Sequence, residues 1–174
     1  ATSRQSAFSA MVADAVRNGK NRIAILHAGI RSISEQTLLT EYSAALAENQ
    51  LSFIPELAKS VAISCNFYSK EVKEVVGWLK EVRPDVLYVD DADYGVSICS
   101  SLIAEGWHLP EDLQLVGGND SPFFQRVMPA IPSFSPQYDK IAEALLNKMG
   151  ESAADSEPIT IEAVYHSKTI NPKT

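Results

Sequence analysis

"LPEDLQLVGGND", residues 109–120, contains a short apolar strand, Leu113–Val116, that runs into two glycines and stops at Asn119 and Asp120. Glycine permits tight turns and close backbone approach, and polar side chains just beyond a parallel strand often face a ligand crevice. Taken alone, Gly-Asn-Asp is also ordinary surface-turn chemistry. The segments on either side decide between these readings.

Upstream, "DVLYVDD" (85–91) reads as a strand ending in acids, followed by a helix from about Asp93 to Glu105 that Gly106 stops. Before it, Ser69–Val82 places Val72, Val75, Val76, Leu79 and Val82 at helical spacings of three and four, and Pro84 marks the exit. "SVAISCN" (60–66) and "RIAILHA" (22–28) are two further apolar strands. Between them, "EQTLLTEYSAALAEN" sets Leu38, Leu39, Tyr42, Ala45 and Leu46 on one helical face. The chain opens in a helix over about 4–18, with Phe8, Met11, Val12, Ala15 and Val16 as its stripe and Gly19 placed to cap it. Downstream come a short extended "PSF" (132–134), a helix Tyr138–Met149 closed by Gly150, a polar loop "ESAADSEP", and a last strand "ITIEAVYH" (159–166). Near-continuous apolar strands separated by helices predict βαβ units and a mainly parallel sheet in a three-layer α/β/α fold. His27 to Ser32, Asn66, Phe67, Asp90, Asp91, Asn119 and Asp120 then gather at the carboxyl edge of that sheet, which makes 119–120 a candidate site.

The 174 residues suit one compact domain, and a 45% hydrophobic content supplies its core. A net charge of -7 speaks against a nucleic-acid-binding surface in this chain. Cys65 and Cys99 are too few and too far apart for a disulfide framework and read as buried small hydrophobes. The first residues lack the layout of a secretion signal, and no run of about 18 apolar residues predicts a membrane span. A cytoplasmic location is expected. Because the chain opens without Met and already in a helical pattern, it reads as a fragment.

Catalytic and metal chemistry find little support. Asp90, Asp91 and Asp93 could hold Mg²⁺ or accept a phosphoryl group, as in a metal-dependent flavodoxin-like enzyme, but helix N-capping is the plainer account. The serines lack a G-x-S-x-G elbow, the three histidines lack metal-ligand spacing, and the glycines form neither a P-loop nor a G-x-G-x-x-G turn. No catalytic residue, metal or cofactor is therefore expected, and the chain is read as a non-enzyme. His27, on the crevice edge, reads as a polar lining residue. Phe67 is either a packing aromatic or, beside Asn66, a face for a sugar or flat heterocycle.

Several segments carry a family likeness: "NGKNRIAIL", "YSAALAEN", "RPDVLYVDDADYG", "AEGWHLPEDLQLVGGND", "MPAIPSFSPQYDKIAEALL" and "VYHSKT". Over nearly its whole length the chain resembles the effector-binding core of lactose-repressor/galactose-repressor (LacI/GalR) transcription regulators, which is similar in fold to periplasmic sugar-binding proteins. The likeness implies a periplasmic-binding-protein-like (type I) C-terminal lobe, with residues 1–174 as a single effector-binding and dimerisation domain. It implies that the helices at about 4–18 and 137–149 normally cover the other lobe, so that their apolar faces should be under-covered here. DNA would be contacted only through a module that this chain does not contain.

The same likeness assigns roles. Phe67 matches the aromatic that stacks on ligand. Asp91 stands where the family usually has Asn, Asn119 where it usually has the Asp that binds sugar hydroxyls, and Leu38 at the usual Arg position. Replacing a bidentate Arg and an ionised Asp removes strong charge-assisted hydrogen bonds, which points to a less polar or amine-bearing effector. Dimerisation would use the helix after the third strand and the loop after the fourth, with Val96, Ser100, Ile103, Phe123 and Phe124 at the interface. The expected partners are a small-molecule effector and a second copy of the chain. A periplasmic-type solute-binding protein is the alternative with the same fold.

Overall fold

The computed structural model describes residues 2–28, 33–61, 68–127, 130–148 and 159–167. Phe67 and Cys65 lie outside the described residues. The strands are β1 (Thr2–Ser3), β2 (Ile23–Ala28), β3 (Ala58–Val61), β4 (Val86–Val89), β5 (Gln114–Gly117), β6 (Ser133–Ser135), β7 (Ile161–Glu162) and β8 (Val164–His166). The helices are α1 (Gln5–Arg17), α2 (Ile33–Glu48), α3 (Tyr68–Val82), α4 (Ala92–Ala104), α5 (Pro122–Arg126) and α6 (Tyr138–Lys148).

A six-stranded sheet has the order β3-β2-β4-β5-β6-β8, parallel throughout except for the antiparallel edge strand β8. Its strands are apolar on both faces because both faces are covered. Ala24, Leu26, Leu87, Val89 and Leu115 pack under α3 and α4, whereas Ile23, Ile25, Val86, Tyr88 and Val116 pack under α1 and α2. The expected three-layer architecture is the one found. In the second layer Phe8 of α1 is fully buried and meets Tyr42, Tyr88 and Phe134 at ring-centroid distances of 5.8, 4.8 and 5.1 Å.

That packing corrects the expectation that the opening helix has an under-covered apolar face. Ala7, Phe8, Met11, Val12 and Ala15 of α1 are buried by the chain's own sheet and by α2. Gly19 (φ +73°) closes the helix in the left-handed region, its N–H donating to Val16. By contrast, α6 has no buried residue among those described, and Tyr138, Leu145 and Leu146 are exposed.

Two further elements differ from the sequence reading. "ITIEAVYH" is not one strand: β7 pairs in parallel with β1 in a separate two-stranded sheet, and β8 joins β6. Ala163 divides them, buried beneath α1, with its N–H donating to Ser3 and its carbonyl accepting from the Ser6 hydroxyl. The segment after Asp120, expected to be a loop, contains α5, with Ser121 as N-cap and Pro122 in the first turn.

The double glycine at the end of β5 answers to close approach on both faces. A side chain at Gly117 would run into the buried Phe124 ring of α5. One at Gly118 would meet the Tyr88 hydroxyl and come within 2.7 Å of Asp90 Oδ1 and 2.8 Å of its Cα. Gly118→Ala should therefore cost about 1–3 kcal/mol through forced displacement, read as a lower urea midpoint. An unchanged midpoint would contradict this packing.

Burial raises the phenol pKa of Tyr42, Tyr88 and Tyr165 above the ordinary value, with neighbouring Asp90 adding to the effect at Tyr88 and Asp14 at Tyr165. These phenols stay neutral in the fold at a pH where the unfolded chain ionises them. The stability this represents is present below about pH 10 and is lost as pH rises further. Tm is expected to fall above that pH, with tyrosinate absorbance rising together with loss of near-UV circular dichroism. Full ionisation with the near-UV signal intact would refute the assignment.

Candidate functional site

At the carboxyl edge of the parallel strands, polar side chains follow the apolar runs. Asp90 and Asp91 follow β4, Asn119 and Asp120 follow β5, and His27 lies near the end of β2. His27 is buried, at 4% exposure. Asp90 is the centre of the group: the Tyr88 hydroxyl donates to its Oδ1 at 3.0 Å, and the Arg4 guanidinium lies 3.4 Å from the same oxygen. The Arg4 backbone N–H donates to Glu41 Oε2 of α2 at 3.2 Å, so one residue joins the start of α1 to both β4 and α2.

Asn119 is held by its amide. Its Nδ2 donates to the Asp90 carbonyl at 3.4 Å, while its Oδ1 is buried and has no hydrogen-bond partner among the described residues. The Gly118 N–H donates to the Val89 carbonyl at 2.8 Å, fixing the loop that carries Asn119 against the end of β4. Asp120 turns aside: its Oδ1 accepts from Gln125 and Ser133, each at 3.3 Å.

Asp91 is the N-cap of α4, its Oδ1 accepting from the Tyr94 N–H at 2.8 Å, and Asp93 lies in the first turn of that helix. The capping role therefore accounts for one oxygen of Asp91. Among the described residues, no three His, Cys, Asp or Glu side chains are grouped to hold a metal ion. Cys99 is buried, and burial raises its thiol pKa, which disfavours the thiolate that nucleophilic chemistry requires.

The structure thus brings Asp90, Asp91, Asn119 and His27 to one edge. Leu38 is enclosed in the core beneath α1 at 4% exposure, so its side chain contributes packing. Of the residues expected at an interface, Ser100, Ile103 and Phe123 are exposed and Val96 is partly so. Phe124 points inward and is buried against Gly95 and Gly117. Arg4 was missed by sequence reasoning, because its partners Glu41 and Asp90 lie far along the chain and no local pattern marks the pairing.

Among the described residues, no helix is long and apolar enough to cross a membrane. No curated protein sequence matches the chain. Solved structures of similar fold include transcription regulator CcpA of Lactococcus lactis, with 22% identity and a TM-score of 0.77, covering 95% of this chain and 62% of that one. The dimeric Lac repressor with an 11-residue C-terminal deletion has 14% identity and a TM-score of 0.76, covering 94% and 60%. A sugar-binding LacI-family transcriptional regulator from Escherichia coli, complexed with phosphate, has 20% identity and a TM-score of 0.73, covering 94% and 59%. The chain thus spans about three fifths of each. A family model described as periplasmic binding protein-like domain matches residues 12–166, and the protein belongs to that family.

Proposed function

We propose that this chain is the ligand-sensing and dimerisation part of a LacI/GalR-type DNA-binding transcriptional regulator. It takes a small sugar-like or related molecule at the carboxyl edge of its main sheet. The observation that carries this reading is Asn119 Oδ1, a buried acceptor with no partner among the described residues, held at a strand end by its own amide. A buried acceptor left unpaired costs about 1–3 kcal/mol, and a ligand hydroxyl or ammonium donating to it removes that cost. Asp91, through the oxygen not used in capping, His27 and Phe67 complete the proposed polar and aromatic lining, with Leu38 as apolar support. Ligand bound between this lobe and a second one would shift their closure and so alter the spacing of DNA-binding modules carried outside this chain. The reading places the protein in the cytoplasm, without catalytic activity.

Dimerisation is proposed through α4 and α5, where Ser100, Ile103 and Phe123 stand exposed beside the partly buried Val96. Exposed aromatic and aliphatic side chains on adjoining helices suit the core of a self-complementary interface.

For the pocket, the full-length protein is screened by thermal shift against a panel of mono- and disaccharides that includes deoxy and amino sugars. A sugar that raises Tm should lose its effect in Asn119→Ala and in Phe67→Ala, and retention of the full shift in both would refute the site. For the interface, sedimentation of the parent should show a dimer and that of Phe123→Asp a monomer. A monomeric parent, or a variant that remains dimeric, would refute it.

A further inference from the structure

The main sheet is not evenly closed. β2 pairs with β3, β2 with β4 and β4 with β5 over four residues each, whereas β5 and β6 meet only at Gly117 and Ser133, the last residue of β5 and the first of β6. Alongside the earlier residues of β5, where β6 has not yet begun, a cleft of about 400 Å³ opens between β5 and the segment Ala130–Pro132 that leads into β6, at the opposite end of β5 from Asn119. That volume lies within the range of small-molecule sites, roughly 300–1,000 Å³.

The lining of the cleft has two characters. Leu109, Leu113, Ile131 and Pro132 form its apolar wall, and Asp14, Lys20, Gln114 and Tyr165 bring polar groups into it. Lys20 Nζ donates to the Pro110 carbonyl at 3.2 Å and to Gln114 Oε1 at 3.0 Å, which uses two of its three N–H groups. Because Gln114 spends its oxygen on Lys20, its amide N–H groups remain as donors beside the ammonium. Burial is the largest influence on Lys20 and lowers its pKa, against the opposing charges of Asp85, Glu111 and Asp14. Its ammonium is therefore poorly solvated, and an anion would restore what water does not supply. Asp14 is anchored by Arg17 at 3.0 Å and by the Tyr165 hydroxyl at 3.3 Å, and each carboxylate oxygen can accept a further bond.

We infer that this cleft is a second small-molecule site, and that it takes an α-amino acid with an apolar side chain. The ligand carboxylate meets Lys20 and the Gln114 amide, its ammonium meets Asp14, and its side chain lies against Leu109, Leu113 and Ile131. A simple anion would use the lysine but be repelled by Asp14, and a simple amine would suffer the reverse. A zwitterion satisfies both charges, and the apolar wall selects among zwitterions.

The test is isothermal titration of the 174-residue chain with L-leucine, and in parallel with glycine, 4-methylpentanoate and 3-methylbutylamine, which lack the side chain, the ammonium and the carboxylate respectively. Leucine should bind, and each of the other three should bind at least about tenfold more weakly, the loss of one charged or apolar contact. Lys20→Met and Asp14→Asn should each weaken leucine binding by about tenfold or more, whereas Asn119→Ala should leave it unchanged. The proposal is overturned if leucine does not bind, if any of the three partial analogues binds as well as leucine, or if Asn119→Ala abolishes leucine binding. The analogue series requires no variant, so it decides the matter even where a substitution impairs folding. A sugar effect at the carboxyl edge would survive failure here, and the reverse also holds.

Discussion

A parallel sheet has to be covered on both faces, and most of this structure follows from that constraint. Along β2, Ala24 and Leu26 turn one way and Ile23 and Ile25 the other; along β4, Leu87 and Val89 oppose Val86 and Tyr88. All are at most 2% exposed. Fully burying one such aliphatic side chain contributes about 1.5–3 kcal/mol, so neither face can be left open to water. The helix pairs α1/α2 and α3/α4 supply the two covers. Phe8 joins α1 to the sheet by packing at once against Tyr88 on β4, Phe134 on β6 and Tyr42 on α2.

Covering the faces leaves the two edges open, and there the polar chemistry gathers. At the carboxyl edge the main-chain run of β5 ends in two glycines because Phe124 presses on one side and Tyr88 with Asp90 on the other. That crowding brings Asn119 against Asp90 and turns its Oδ1 into a buried acceptor. At the amino edge, β6 begins only where β5 ends, which leaves an opening beside the first residues of β5. The two ends thus differ in origin: one is shaped by tight packing and the other by a neighbouring strand that begins late.

Much of this was legible from side-chain patterns. The stripe of Phe8, Met11, Val12 and Ala15 marked α1, Gly19 marked its end, and the valine spacing from Val72 to Val82 marked α3. The placement of Asp90, Asp91 and Asn119 at the carboxyl edge followed from their places after apolar strands. Other features had no local signature. β1 is too short to show a period, and its partner β7 lies at the far end of the chain. The tandem Phe123–Phe124 is apolar at both positions, yet the first is half exposed and the second buried, a difference set by how α5 docks on α4 and β5. Pro122 after Ser121 was a usable start signal for that short helix, and only its brevity hid it.

By itself, the order of residues determined the fold class, because alternating apolar strands and amphipathic helices admit few arrangements in which both faces of the sheet are buried. It also determined which residues stand near the carboxyl edge, since position after a strand is a property of the chain. Tertiary structure alone decided their long-range engagement: Asp90 with Arg4, and the Asn119 amide on the Asp90 carbonyl. The physical reason is distance along the chain. Hydrogen bonds and ion pairs between groups tens of residues apart depend on how helices seat on the sheet, and that seating is settled by packing summed over the whole core.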